Sequence, residues 1–309
     1  MRPRRIVALG EVLWDVLAAG RRLGGASANF CAIAGRLGEN AVLASRVGRD
    51  ALGDEILERL TAYPIDVGFI QRDSVLPTGT VTVEVDSRGQ PAYRIHEGAA
   101  WDEFQLTPSW MALAAEADAI CFGTLAQRSP TSRATIQSLI SLTRPDCLRV
   151  FDINLRRPFY SEETIRWSLN HASLLKINDE EVAVVLKLLG LPVRPSADPE
   201  REAADTLMNI FPISLVCITS GSRGSLIVSR EGYHRHNGVV VDVIDTVGAG
   251  DAYLAAITHF ALRDAPLEEM SEAANRFGAW VASCAAAIPD TPLPKFSRVF
   301  GLDSPVDPG

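Results

Sequence analysis

The sequence predicts an α/β protein built on a mostly parallel sheet with helices on both faces. Short apolar or β-branched runs recur along the chain and alternate with segments of helical spacing. Strands that are apolar throughout belong in sheets covered on both sides. The joints between the two kinds of segment carry Gly, Asp and Asn, the residues of tight turns and helix starts. One stretch, 78–95, instead alternates polar and apolar residues around Asp86-Ser87-Arg88-Gly89. It reads as a hairpin outside the main sheet, either a plain edge hairpin or a lid over a small-molecule site.

In chain order the predicted strands are 6–9, 41–47, 119–122, 149–153, 174–177, 215–219 and 239–244. The predicted helices are 28–37, 50–61, 109–115, 131–142, 179–189, 200–209, 252–262 and 267–287. The last has the clearest stripe, with Met270, Ala274, Phe277, Val281, Cys284 and Ile288 recurring every three or four residues. The segment 191–199 reads as a surface loop, and the Pro-rich tail after Pro289 as irregular structure.

Composition narrows the class of protein. The 309 residues are 47% hydrophobic and 22% charged, the mix of a packed chain able to bury a sizeable core. Thirty basic side chains against 38 acidic ones give a net charge of −8, and the basic start Arg2, Arg4, Arg5 is too short to grip a phosphate backbone. No nucleic-acid partner is expected. The five cysteines are scattered and never spaced C-x-x-C, so neither a disulfide framework nor a cysteine zinc site is expected, and a reducing cytoplasm fits best. The first apolar run stops at Glu11, and the longest uncharged stretch, 206–222, is broken by Asn209 and Pro212. No export signal or membrane span is expected.

The chemistry concentrates at Asp245-Thr246-Val247-Gly248-Ala249-Gly250-Asp251, which leads into helical spacing. A Gly-rich entry to a helix exposes backbone N–H groups and the positive end of the helix dipole around a hollow suited to an anion. Asp251 stands at its edge with a carboxylate, so a phosphoryl clamp and a base come together. Taken alone, Gly-Ala-Gly-Asp reads first as a turn followed by a helix cap.

The whole string resembles the Asp-Thr-x-Gly-Ala-Gly-Asp signature of the ribokinase or PfkB family of sugar kinases. Further matches follow in that family's order: Gly10-Glu11 with Asp15, Gly24-Gly25-Ala26-Ser27-Ala28-Asn29, Val47-Gly48-Arg49-Asp50 with Gly53, Asp152-Ile153-Asn154-Leu155-Arg156, Asn178-Asp179-Glu180-Glu181 behind Lys176, Thr219-Ser220-Gly221-Ser222-Arg223-Gly224, and Asn275. They span nearly the whole chain.

The resemblance implies a ribokinase-like three-layer α/β/α fold with a Rossmann-like sheet, one kinase domain over 1–309, and a β lid formed by about 11–24 and 76–102. It implies Asp251 as the base and the N–H groups of Gly248, Ala249 and Gly250 as holders of the transferring phosphoryl. Asp15, Gly25, Asn29, Arg156 and Trp101 would meet the sugar, although Trp101 reads equally as a core aromatic. Asn178, Thr219, Gly221, Gly224 and Asn275 would meet ATP, and Glu181 a magnesium ion through water. Asn-Asp-Glu-Glu at a helix start is also simply good capping. Asp245 and the Val247 carbonyl resemble a potassium site. Relatives often dimerise through the lid, so a homodimer is expected.

Ribokinases carry a Lys within the Gly-Gly element where this chain has Ala26, and Gly-Gly-Ala-Ser-Ala-Asn is closer to fructokinases. Fructose is therefore the expected acceptor, with 2-keto-3-deoxygluconate as rival and another sugar or a nucleoside behind it. A sugar-binding protein that has lost catalysis is the non-enzyme alternative. The family's usual Gly-Ala near the adenine is absent from Cys284-Ala285-Ala286-Ala287.

Overall fold

In β1 (Arg5–Leu9), Val7 and Leu9 face one way and Ile6 and Ala8 the other, and all four are buried. Such a strand has to lie between two helical layers. The computed structural model, which describes residues 2–17, 20–85, 91–192 and 196–290, has that arrangement.

From β1 the chain passes through β2 (Leu13–Leu17), β3 (Gly20–Gly24), α1 (Ala26–Arg36), β4 (Asn40–Gly48), α2 (Ala51–Leu60), β5 (Ile65–Asp66) and β6 (Ile70–Asp73). Next come β7 (Thr80–Val85), β8 (Pro91–Ile95), α3 (Pro108–Glu116), β9 (Ala119–Gly123), α4 (Pro130–Ser141), β10 (Leu148–Asp152), α5 (Glu162–His171) and β11 (Leu174–Asn178). The last part holds α6 (Asp179–Leu188), α7 (Pro199–Ile210), β12 (Leu215–Thr219), β13 (Ser225–Ser229), β14 (Tyr233–His236), α8 (Ala249–Ala261) and α9 (Leu267–Ala282).

The main sheet runs β14-β13-β12-β11-β10-β9-β1-β4-β5, with β6 also on β4, and is parallel except for the β12–β13 and β13–β14 pairs. Helices α1, α2, α8 and α9 cover one face through side chains such as Phe30, Ile56, Leu254 and Phe277. Helices α3 to α7 cover the other through Trp110, Ile136, Ile165, Leu186 and Leu207. From β1 the chain builds outward to β4 on one side, while β9 to β12 extend the other side, so the winding reverses between β1 and β9. A crevice at the carboxyl ends of the strands follows from that reversal.

A second sheet, β3-β2-β7-β8, stands apart. Its hairpin is the alternating stretch foreseen at 78–95, with Val81 opposite Ile95, and the turn at 86–89 lies outside the described residues. The β2–β3 hairpin is inserted between β1 and α1, and the Leu13–Gly24 pair fixes its base.

Four expectations need correction. The segment 239–244 is not a strand: Val240, Val243 and Ile244 are exposed, and the N–H groups of Ile244 and Asp245 both donate to the Ala282 carbonyl, at 2.9 and 3.2 Å. Helix α9 stops at Ala282, where the Ser283 and Cys284 N–H groups turn back onto the Ala279, Trp280 and Val281 carbonyls. Helix α5 was not foreseen, because a polar sequence buries only a narrow stripe at Thr164, Ile165, Ser168 and Leu169. Strands β13 and β14 were missed because they are short and the second, Tyr-His-Arg-His, is polar. Part of the loop predicted at 191–199 and the tail from 291 lie outside the described residues.

Candidate active site

The start of α8 is shaped by its glycines. Gly248 has a left-handed backbone, φ +83°, and a Cβ there would stand 2.6 Å from the Ala287 Cβ, so only glycine fits. A Cβ on Gly250 would come within 3.0 Å of the Lys176 Nζ. The Ala249 N–H donates to the Thr246 carbonyl at 3.2 Å, closing a tight turn, so it is not free for an anion as expected. The N–H groups of Gly248 and Gly250 have no acceptor among the described residues.

Asp251, buried in the first turn of α8, accepts a hydrogen bond on Oδ2 from Asn29 Nδ2 at 2.8 Å. Asn29 comes from the first turn of α1, whose entry at Gly25 has φ +105°; a Cβ there would lie 2.5 Å from the Glu11 carbonyl oxygen. Glu11 Oε1 in turn accepts from the Ala26 N–H at 3.0 Å, which anchors that helix start. The amide oxygen of Asn29, Oδ1, is buried without a partner among the described residues, a vacant acceptor beside the carboxylate.

Across the crevice, Lys176 Nζ donates to Asp152 Oδ1 at 3.1 Å, and both groups are buried. Burial pushes the Asp251 carboxyl up to about 6, and the Asp152 charge adds to this, while Asn29, Lys176 and Arg156 oppose it. Glu11 is pushed by burial up to about 7, against the Ala26 N–H and Arg156 and with the Asp251 charge adding to the rise. Burial alone would lower Lys176, but Asp152, Glu181 and Asp251 outweigh it and hold the ammonium above its ordinary value. The local balance is therefore several buried carboxylates around one buried ammonium.

Glu181 and Asn178 form a reciprocal cap on α6: Asn178 Oδ1 accepts the Glu181 N–H at 2.8 Å, and Glu181 Oε2 accepts the Asn178 N–H at 3.1 Å. Glu181 Oε1 also accepts the Leu155 N–H at 2.6 Å, and its carboxyl is raised by burial. Each carboxylate oxygen still keeps a lone pair for a water. Together with the excess of buried negative charge, this donor set fits a magnesium ion that retains its waters.

Asp15 on β2 is pushed by burial up to about 6, with Arg156 and Arg22 opposing and Asp245 adding to the rise. Arg156, exposed, thus acts on Asp15, Glu11 and Asp251 together. Thr219 ends β12, and the exposed turn at Gly221 (φ +57°) follows it.

The structure corrects several other expectations. Trp101 is 0% exposed, with the Arg128 guanidinium 3.9 Å from its ring centroid, so it is a core aromatic and offers no wall to a sugar. Gly224 is buried where a Cβ would lie 2.0 Å from the His236 carbonyl oxygen, so it lets two chain segments touch. Asn275 Nδ2 donates to Ser225 Oγ at 2.8 Å and to the Ser271 carbonyl at 2.7 Å, tying α9 to β13. Asp245 Oδ2 accepts from Arg22 Nη1 at 2.9 Å and Oδ1 from the Val247 N–H at 3.0 Å, so a fixed positive charge already stands at the carboxylate expected to hold potassium.

Glu11, Asp152 and Lys176 had no role assigned from sequence. A signal was present: Lys176 interrupts an otherwise apolar strand, and a charge buried there requires a partner.

A buried carboxylate at an anion-ready helix start, in the crevice of a doubly covered sheet, suits an enzyme that transfers a phosphoryl group to an acceptor that gives up a proton. The family model described as pfkB family carbohydrate kinase matches residues 5–294, and the chain belongs to that family. An uncharacterized sugar kinase of Pyrococcus horikoshii is 28% identical over 269 residues, 82% of this chain and 81% of its own. Its structure in complex with ATP superposes with a TM-score of 0.78 at 25% identity, covering 92% of this chain and 95% of that one. An Escherichia coli fructokinase is 24% identical over 94% of this chain and 96% of its own. Aminoimidazole riboside kinase from Salmonella enterica, solved with aminoimidazole riboside and an ATP analogue, gives a TM-score of 0.76 at 22% identity, covering 97% of this chain and 100% of that one.

Proposed function

We propose that this chain transfers the γ-phosphoryl group of ATP to a hydroxyl of fructose. The observation that carries the reaction is the Asn29–Asp251 pair, which aims a buried carboxylate from the start of α8. The acceptor hydroxyl donates to Asp251, and Asp15 with the vacant Oδ1 of Asn29 holds the other hydroxyls. As the new oxygen–phosphorus bond forms and the bond to the departing ADP oxygen breaks, the proton passes to Asp251. The N–H groups of Gly248 and Gly250 and the α8 dipole take up charge on the transferring group. Magnesium, when bound, supplies neutralising charge to the phosphates, and Glu181 with Asn178 would hold it through water. Thr219 and Gly221 would receive the nucleotide.

The choice of fructose rests on Ala26 in place of a lysine in the Gly-Gly element and on the fructokinase relatives. A second reading, 2-keto-3-deoxygluconate, is favoured by Arg156, whose side chain, among the described residues, donates only to the Leu155 carbonyl beside it and whose charge acts on Asp15. The experiment is kcat/KM with magnesium ATP over fructose, 2-keto-3-deoxygluconate, ribose and aminoimidazole riboside. Fructose is expected to lead. If the acid sugar leads, the fructose reading fails, and if no acceptor consumes ATP, the chain is a binding protein.

Because Asp251 works ionised and lies at about 6, kcat/KM is expected to fall as the pH drops through about 6, approaching about tenfold per unit below it. A flat profile between pH 5 and 7 would contradict the base. The smaller sheet is proposed as the lid that excludes water, and its edge strands β3 and β8 as a dimer contact, which light scattering checks.

A further inference from the structure

Asp245 stands in the loop before Gly248, and each of its carboxylate oxygens already accepts a hydrogen bond. Its Oδ2 receives Arg22 Nη1 at 2.9 Å and its Oδ1 the Val247 N–H at 3.0 Å. The nearby Ala282 carbonyl receives two N–H groups, those of Ile244 and Asp245. A cation from solution would have to approach this carboxylate against the charge of the Arg22 guanidinium. Arg22 belongs to β3 of the smaller sheet and lies directly opposite Asp15 in the β2–β3 register. It comes from far away in sequence, 223 residues before Asp245. One guanidinium thus stands between the carboxylate proposed for the acceptor and the loop that leads into the phosphate-binding turn.

We propose that Arg22 is the resident monovalent cation of the Asp245 loop, locking the smaller sheet to the start of α8 so that turnover needs no potassium. A guanidinium suits this role because it is permanently charged, weakly hydrated and rigid, and it presents several donors in one plane. Being covalently attached, it does not depend on the concentration of a dissolved ion, as a bound cation does. An ion pair with one half-exposed partner adds little to global stability, so the effect appears in the placement of the Gly248 turn. Arg22 is a positioning residue and touches no reacting atom.

The test compares the wild type with Arg22→Ala in potassium and in tetramethylammonium salts of equal ionic strength, using the best acceptor from the panel above. The wild-type kcat is expected to be the same in both salts within about twofold, whereas Arg22→Ala loses about fivefold or more in tetramethylammonium and regains most of it in potassium. Thermal unfolding without nucleotide or sugar gives an independent reading: potassium raises the midpoint of Arg22→Ala and leaves the wild type unchanged. If Arg22→Ala does not fold, Arg22→Gln, which keeps most of the stem, takes its place. A wild type strongly activated by potassium, or a variant equally active and equally stable in both salts, overturns the proposal. Because the unfolding measurement uses no acceptor, it stands whichever sugar is the substrate.

Discussion

Asp251→Asn is expected to lower kcat by about a thousandfold while leaving the affinity for the sugar close to the wild-type value. The substitution keeps the size of the side chain, and its amide oxygen can still accept the Asn29 N–H that the carboxylate accepts at 2.8 Å. What disappears is the ability to take a proton and the negative charge that orients the hydroxyl. Calorimetric titration of the sugar, set beside the turnover of the same preparation, separates the two effects. Turnover within tenfold of the wild type would remove Asp251 as the base.

Lys176→Met is expected to destabilise the fold by about 3–5 kcal/mol at neutral pH, because it removes one partner of a buried pair. The ammonium is held in β11 against Asp152 at 3.1 Å, with the Glu181 and Asp251 charges also acting on it. Without it, the buried carboxylates face each other uncompensated and their pKa values rise in the folded state. A carboxyl raised above its unfolded value leaves stability intact at pH below the unfolded pKa and costs stability as the pH rises through the folded pKa. The loss should therefore be large at pH 7.5 and smaller near pH 5. Urea unfolding at both values measures it, and Asp152→Asn added to Lys176→Met should recover part of the loss. A single variant as stable as the wild type at pH 7.5 would show that the ammonium is not needed for charge balance.

The layered fold was legible because the strands that build it are apolar on both faces, and that pattern survives without any knowledge of neighbours. The second sheet was legible for the complementary reason, since Thr80–Val85 alternates. Two of the failures come from tertiary context that a local pattern does not contain. Val239 to Ile244 has the composition of a strand, but strand propensity is realised only where a pairing edge is available, and the Ala282 carbonyl takes the N–H groups of Ile244 and of Asp245 just after it instead. The periodicity of α9 runs on through Cys284 and Ile288 although the helix ends at Ala282, because irregular chain can bury a side chain too.

Within the candidate site, Asp251, Asn29 and Asp15 were visible as motif residues. The role of Lys176 depends on Asp152, 24 residues away, and on a helix still farther along, so no local pattern expresses it. Trp101 shows the opposite error: an aromatic beside a polar motif suggests a ligand wall, whereas Arg128 already covers its ring.

The bond between Asn29 and Asp251 joins residues 222 apart in the sequence, and helix α1 packs beside helix α8 across the same distance. During synthesis the amino-terminal part of the chain emerges first and waits for a partner that the ribosome has not yet made. Through that interval Phe30, Ile33 and their neighbours on α1 lack the surface they finally cover. The chain should therefore be most prone to aggregation when its last fifth is missing, and an arrest or truncation before residue 249 should leave a species that engages chaperones and has no catalytic site.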